Sequence, residues 1–293
     1  MRITDRMIYD GAQRSTLQAR ARADRAALVA GTGLQVVHPG DAPTAMGAVV
    51  AGRAAQARFE SIRGSVESTR AQLEQADAAL GSVATMVRRA EQLAVQLANG
   101  TWGATERAAA AAEVDSLARG ITAALNAEHA GRFLFGGTAD TQPPWAADGT
   151  WHGTAGSRQV EVAPGVFEDV TLRPDVAIGG AGGGSDLFAS LRALAAALAA
   201  DDPAAVAQQI DVLGAAQDQI AAERARIGGS AGVLEAAAAA SLEARDAAQA
   251  EVARLTEADV VAAASELALS QRALEAALAA ASESFRLTLL DRL

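Results

Sequence analysis

Apolar and small residues recur along the chain at alternating steps of three and four, the spacing of a helix that packs along one stripe. The longest faultless series lies in the first third of the sequence, and smaller residues continue it back to Ala45. This pattern predicts one helix over about 44–99, ended by Asn99 and Gly100. The main series is Phe59, Ile62, Val66, Thr69, Leu73, Ala76, Leu80, Val83, Val87, Ala90, Ala94 and Leu97.

A second helix is predicted from Ala104 or Thr105 to about His129. Its apolar face is marked by Val114, Leu117 and Ile121, followed by Ala124 or Leu125. The loop before it is short, so the first two helices should be antiparallel neighbours.

The third helical series runs from about Pro203 to Thr256 and contains the stretch GGSAG at 228–232. Glycine disfavours a helix interior, so local propensity predicts a break there. A loop has no reason to preserve helical phase, however, and the phase is kept. The sequence therefore predicts one uninterrupted helix. Its series is Val206, Ile210, Leu213, Gln217, Ile220, Arg224, Ile227, Ala231, Leu234, Ala238, Ser241, Arg245, Ala248, Val252 and Leu255.

Both ends of the chain are predicted to be amphipathic helices. After Leu255 the phase jumps by five residues to Val260, across the stretch TEAD, whose polar residues can cap a new helix. The final FRLTLLDRL is apolar where a monomer is usually polar, so it should contact a partner. A less regular stripe predicts a helix up to about Ala30.

The middle of the chain, 131–185, has a different pattern and predicts a small β-rich insertion. RQVEVA alternates as a strand does, and Pro164 and Gly165 form a turn into VFEDVTLR. In GRFLFGGT, Gly131 is expected to end the preceding helix, the two phenylalanines to share a strand face, and the glycine pair to turn the chain. GGAGGGS then leads to a helix capped by Ser185 or Asp186.

The predicted fold class is mainly α, with long antiparallel coiled-coil helices formed by the N- and C-terminal halves and a small β-rich central insertion. Three domains are expected. They are a terminal helical assembly domain of 1–43 with 257–293, a long-helix coiled-coil domain of 44–130 with 186–256, and the outward-facing insertion of 131–185.

Composition excludes several classes of function. The net charge of -10 argues against nucleic-acid binding, which needs a basic face. There is no lysine, so a Walker A loop and a Schiff base are excluded, and no cysteine, so disulfides are excluded. Every apolar run is interrupted by charge, which argues against membrane insertion. The charged first ten residues also argue against a cleaved signal peptide.

No catalytic, cofactor-binding or metal site is predicted. The three histidines, His38, His129 and His152, are scattered and lack paired-ligand spacing. GGAGGGS could present backbone donors to an anion, but without a preceding strand or a lysine it is typical of a flexible linker. Glu128 and His129 are adjacent and point about 100° apart on a helix, so they do not form an acid-base pair. Nothing supports an enzyme.

Five motifs together resemble the bacterial flagellin superfamily and, more narrowly, the hook-associated protein 3 family of hook-filament junction proteins. The opening MRIT and the LLD near the C-terminus favour the junction family over filament flagellins. Two segments depart from the family pattern, VAGTGLQVVHPGDAP and GGSAG. The motifs are MRITDRMIYD, PGDAP, RRAEQLAVQLANGTW, GRFLFGGT followed by TQPPW, and ELALSQRALEAALAAASESFRLTLLDRL.

The resemblance implies a structural adaptor, exported through the flagellar type III route to the hook-filament junction outside the cell. Implied partners are hook-associated protein 1, flagellin, copies of the chain itself, and the export chaperone and apparatus. A minor filament flagellin and a cytoplasmic coiled-coil signalling or scaffold protein remain alternatives. The expected subunit contacts are Ile3, Met7, Leu17, Leu267, Leu274, Leu278, Phe285, Leu289 and Leu290.

Overall fold

The computed structural model describes the backbone of residues 2–181 and 183–290, and the side chains of 7, 9–181 and 183–283. The chain forms two compact units. We call Met1–Ala57 with Ala244–Leu293 the terminal unit, and Arg58–Glu243 the central unit. The helices are α1 (Arg2–Thr32), α2 (Pro43–Leu97), α3 (Ala104–Leu125), α4 (Pro174–Ala177), α5 (Leu187–Ala199), α6 (Pro203–Thr256) and α7 (Val260–Leu290). The strands are β1 (Glu128–His129), β2 (Arg132–Phe133), β3 (Gln159–Ala163) and β4 (Val166–Asp169).

In the terminal unit, α1 pairs with α7 in antiparallel orientation. Val29 lies near Ala263 at one end of the pair, and Leu17 lies near Leu278 further along. The predicted cap at the start of α7 is confirmed, because an oxygen of Asp259 accepts from the backbone N–H of Val261 at 2.8 Å and of Ala262 at 3.1 Å.

The central unit has a continuous apolar core between α2, α3, α5 and α6. From Ile62 to Leu97, every member of the predicted α2 series is buried. Two polar members of the α6 series also face α2: Arg224 forms a bidentate ion pair with Asp77, and Gln217 donates to the carbonyl of Ala84. The later residue of α6, Arg224, contacts the earlier residue of α2, Asp77, and the earlier residue of α6, Gln217, contacts the later residue of α2, Ala84. The two helices are therefore antiparallel, as predicted.

Helix α6 is uninterrupted through its glycines, which confirms the prediction from phase. Ile227 and Leu234 on either side of this segment are buried in the core. Gly228, Gly229 and Gly232 are exposed, and a Cβ added at any of them would meet nothing within 4 Å. Because each glycine costs about 1 kcal/mol relative to alanine, core packing holds a segment that is intrinsically weak.

A buried arginine connects the turn between α2 and α3 to the turn between α5 and α6. The Arg107 guanidinium donates to the carbonyl oxygens of Leu97 at 3.1 Å and Asn99 at 3.0 Å. It also forms an ion pair with Asp201, which has a left-handed φ of 56°. One side chain thus satisfies carbonyls at the C-terminal end of α2, which lack intrahelical donors.

The insertion contains two small antiparallel hairpins. β1 pairs with β2, and β3 pairs with β4 in a register that joins Val160 to Glu168 and Glu161 to Phe167. The predicted strands of RQVEVA and VFEDVTLR are therefore confirmed. Asp186 caps α5 as predicted, accepting from the Ala189 N–H at 2.9 Å.

The predicted end of the second helix is wrong. α3 stops at Leu125 because Asn126 turns toward the insertion: its amide donates to the Trp145 carbonyl at 2.9 Å and accepts from the Trp145 N–H at 3.0 Å. Glu128 and His129 are therefore strand residues. Gly131 does not end the helix but lies, with Ala130, at positive φ in the turn between β1 and β2.

The glycine pair in GRFLFGGT turns the chain, as predicted. Gly137 has a φ of +65°, and a Cβ there would lie 1.8 Å from the carbonyl oxygen of Thr154. Only glycine permits this approach. Phe135 is buried in the core, and its carbonyl accepts from the Trp151 indole nitrogen at 3.0 Å.

The predicted fold class, mainly α with a β-rich insertion, is confirmed. The three-domain boundaries predicted from the sequence remain predictions. Within the described part of the chain, no helix combines the length and the apolar character needed to cross a bilayer.

Candidate assembly surface

The contact between α1 and α7 is made mainly by small residues. The inward positions of α1 recur at steps of four and three, and α7 presents a matching row. Because alanine buries little area, this pair has a thin apolar seam. The buried or half-buried positions are Ala12, Thr16, Ala19, Ala23, Ala26, Val29 and Ala30 on α1, and Ala263, Leu267, Ser270, Leu274, Ala277 and Ala281 on α7.

Most of the large apolar side chains of the two helices lie on their outer surface, while Val29, Leu267 and Leu274 are half-buried. In the usual amphipathic arrangement the largest apolar residues face the neighbouring helix. An outward apolar surface is typical of a subunit that buries its apolar side chains against other chains. The outward residues are Met7, Tyr9, Leu17 and Leu28 on α1, and Val260, Val261, Leu269 and Leu278 on α7.

Part of this surface forms an apolar groove of about 330 Å³ between α1 and α7. Tyr9 and Leu17 line it from α1, and Leu278 and Ala281 line it from α7. The groove therefore joins two outward leucines to the inner seam. It offers a concave apolar contact on an otherwise convex helix pair.

The structure separates the nine predicted contact residues into three groups. Met7, Leu17 and Leu278 point outward and are 51–67% exposed. Leu267 and Leu274 are half-buried in the row that faces α1. The side chains of Ile3, Phe285, Leu289 and Leu290 lie outside the described residues.

Five outward residues were not among those predicted: Tyr9, Leu28, Val260, Val261 and Leu269. A heptad pattern describes only one apolar stripe on each helix. A second apolar stripe was visible in the sequence, since Leu267 and Leu269 are two residues apart and face different sides of a helix. That spacing could have shown that α7 has two contact faces.

The loop between α1 and α2 is held to α1 by Asp41. Its carboxylate accepts from the backbone N–H of His38 at 2.9 Å and of Val37 at 3.1 Å, and it pairs with Arg25 on α1 at 3.0 Å. These two backbone hydrogen bonds, with the Arg25 guanidinium, lower the pKa of Asp41 below its ordinary value.

The grouping of metal-ligating side chains and a groove in the insertion bear on the predicted absence of a site. Among the described residues, no group of three or more His, Asp or Glu side chains could hold a metal ion. A groove of about 510 Å³ in the insertion is lined partly by Trp145. Its charged side chains are engaged within the fold: Asp175 pairs with Arg173, Asp186 caps α5, and Arg192 donates to a carbonyl.

Residues 3–140 match the family model of the bacterial flagellin N-terminal helical region. This stretch of the chain is similar to the N-terminal helical region of bacterial flagellins. The match spans α1 to β2 and therefore includes the α1 side of the candidate surface. It confirms the flagellin resemblance recognised in the sequence motifs.

Solved structures share the fold of this chain. One, titled a putative flagellar hook-associated protein from Vibrio parahaemolyticus, aligns with a TM-score of 0.68 at 19% identity, covering 74% of this chain and 100% of that one. Another, FlgL from Bacillus cereus, aligns with a TM-score of 0.59 at 20% identity, covering 68% of this chain and 97% of that one. No curated protein matches the sequence.

Proposed function

We propose that the chain is a structural subunit of the bacterial flagellum that connects the hook side to the flagellin filament. The observation that carries the proposal is a combination: a flagellin-type N-terminal region within a fold that matches a putative flagellar hook-associated protein over that protein's whole length. The partners proposed are hook-associated protein 1 below and flagellin above, with copies of the chain forming the layer between them. Its place is outside the cell, reached by flagellar export.

The terminal unit supports this assembly role. A thin alanine seam contributes little to the α1–α7 pair, while large apolar side chains remain on its outer surface. In an assembly these side chains would be buried against neighbouring subunits. We therefore propose Met7, Leu17 and Leu278 as contacts between subunits, and Leu267 and Leu274 as residues that hold the helix pair together.

The distribution of charge supports contact between the basic helix α1 of one copy and an acidic surface of another. Helix α1 contains six arginines and three aspartates, although the chain as a whole has a net charge of -10. A basic α1 is attracted to the acidic surface of a neighbouring copy, and added salt screens that attraction. Self-association of the purified chain should therefore weaken as the salt concentration rises.

Gene deletion with electron microscopy tests the location. A junction subunit predicts that the deletion strain has intact hooks, lacks filaments and sheds soluble flagellin. Antibody against the chain should label a narrow band at the hook-filament boundary of wild-type flagella. Filaments that persist with altered composition would instead identify a minor flagellin, and protein found only in the cytosol would identify a scaffold.

Substitution of the outward residues tests the surface. The triple change Met7→Ser, Leu17→Ser and Leu278→Ser should prevent recovery of the chain in sheared flagella while leaving its circular dichroism unchanged. The matched control, Val166→Ser with Phe167→Ser, alters exposed apolar residues of the insertion and should leave recovery intact. Normal recovery of the triple variant would exclude this surface as the contact.

A further inference from the structure

Helix α6 carries four polar residues on the face that meets the insertion. Gln219, Glu223, Arg226 and Ser230 follow one another at steps of four, three and four, so they form one row along the helix. Glu223 and Ser230 are buried, and the other two are half-buried. We call these four residues the polar row.

The polar row binds the last part of the insertion at successive points. Gln219 donates to the Val176 carbonyl at 2.9 Å and accepts from the Ser185 N–H at 2.7 Å. Glu223 accepts from the Arg173 N–H at 2.9 Å.

The other two members of the row, Arg226 and Ser230, bind residues that lie slightly earlier in the insertion. Arg226 donates to the Thr171 carbonyl. The hydroxyl of Ser230 lies 3.4 Å from the Asp169 carbonyl and 3.2 Å from the Glu168 carboxylate. Most of the atoms bound by the row therefore belong to the backbone of the insertion.

The two middle members of the row, Glu223 and Arg226, form an ion pair with each other. Arg226 contacts both carboxylate oxygens of Glu223, at 3.0 Å and 2.7 Å. The hydrogen bonds that Arg226 donates to Glu223, together with the Coulombic attraction between the two groups, raise the pKa of Arg226, so the guanidinium stays charged. Charged hydrogen bonds in a half-buried site are stronger than neutral ones at the surface.

The end of the polar row lies within the glycine segment of α6, Gly228–Gly232. The outer face of this segment has no side chains that pack, and its glycines disfavour a helix. The inner face is held by Ile227 and Leu234 in the core. The remaining lateral contacts to the insertion come from Arg226 and Ser230, on either side of Gly228 and Gly229.

We propose that the insertion is a brace for α6: its hydrogen bonds to the polar row keep the glycine segment helical, and their release opens α6 locally at 228–232. The insertion and the long helix are then coupled. A force or ligand that displaces the insertion loosens α6, while the flanking helix remains held by its core residues.

Hydrogen exchange of the full chain tests the brace, read by mass spectrometry on peptides covering 224–236. The test variant is Glu223→Ala with Ser230→Ala. Alanine is the better helix former at both positions, so an isolated helix would exchange more slowly. The brace predicts the opposite, an acceleration of about tenfold or more at 227–233, because hydrogen bonds to a charged group are lost. Peptides covering 206–216 should change less than about twofold.

The matched control is Ser241→Ala with Glu243→Ala, which makes the same two changes further along α6. Both residues lie beyond Ser230 on α6 and are not members of the polar row. This control should leave exchange at 227–233 unchanged. An equal acceleration in the control would overturn the proposal.

Replacing the glycines provides a second, independent measurement. Adding Gly228→Ala, Gly229→Ala and Gly232→Ala to the test variant should slow exchange again, by roughly fivefold for each alanine. If the test variant does not fold, the milder single variant Ser230→Ala takes its place. This single variant should accelerate exchange at 227–233 a few-fold. Unchanged exchange in the test variant or in that single variant, acceleration spread evenly over α6, or no slowing by the alanines would each overturn the brace.

Discussion

The Nε of Arg107 donates to the carbonyl oxygen of Leu97 at 3.1 Å, and this bond joins the start of α3 to the last residue of α2. Arg107 is only 3% exposed and Leu97 is also 3% exposed, so the charge of this arginine lies in a buried site. Buried polar groups without partners are costly. Arg107 therefore contributes to the stability of this turn.

We expect Arg107→Ala to lower the free energy of unfolding by about 2–4 kcal/mol, because carbonyls at the end of α2 lose their donor and a cavity forms. Arg107→Lys should recover only part of this, since an ammonium cannot reproduce the guanidinium fork. Urea unfolding followed by circular dichroism measures both. Arg88→Ala, at an exposed arginine of α2, should change the value by less than about 0.5 kcal/mol. Equal losses in Arg88→Ala and Arg107→Ala would contradict this role.

Two glycines should respond in opposite directions to the same substitution. Gly232→Ala should raise the unfolding free energy by about 1 kcal/mol, because the added Cβ is unobstructed and the helix is favoured. Gly137→Ala should lower it by at least about 2 kcal/mol, because the Cβ collides with Thr154 and φ is positive. Paired urea titrations decide, and a stabilising Gly137→Ala would show that the turn can rearrange freely.

Acid should loosen the loop between α1 and α2. The folded-state pKa of Asp41 lies below its ordinary value of 3.8, so its stabilising effect is complete above that pH and is lost as the pH falls through the lower, folded-state pKa. Asp41→Asn removes the ionised carboxylate. The stability difference between wild type and variant should therefore be greatest near neutral pH and shrink progressively below about pH 4. A difference that stays constant down to pH 2.5 would rule out ionisation as its cause.

The two sides of α7 can be separated with a pair of leucines two residues apart. Leu267→Ala should lower the unfolding free energy by about 1–2 kcal/mol, because this half-buried side chain faces α1. Leu269→Ala, at an exposed position, should change it by less than about 0.5 kcal/mol. For incorporation into flagella we expect the opposite order: Leu269→Ala should reduce incorporation more than Leu267→Ala does, relative to the stability that each variant loses. Thermal unfolding and sheared-flagella yields give the two values.

The sequence predicted the central helices well because their partners lie within the chain. The members of the α2 series from Ile62 to Leu97 are all buried in the core. Helix α6 continues through its glycines because Ile227 and Leu234, on either side of them, are buried in the same core. The end of α3 could not be predicted locally. It is set by Asn126 and Trp145, which are 19 residues apart and bind each other through their backbone and amide groups.

The candidate surface was harder to predict for a related reason. Periodicity shows which residues share a face but not which face meets which partner. Leu17 and Leu267 both lie on apolar stripes, yet the structure exposes the first and half-buries the second. The difference arises because the inner row of α1 is built from alanines such as Ala23 and Ala26, which a search for large residues overlooks.

The polar row mostly binds main-chain atoms, and this has a practical consequence for protein engineering. The side chains at the far end of the insertion, around the turn at Pro164 and Gly165, are exposed and take no part in those bonds. A peptide tag grafted into that turn leaves the segment 169–176 in place on α6. The exposed turn at Pro164 and Gly165 is thus a site for displaying foreign sequence.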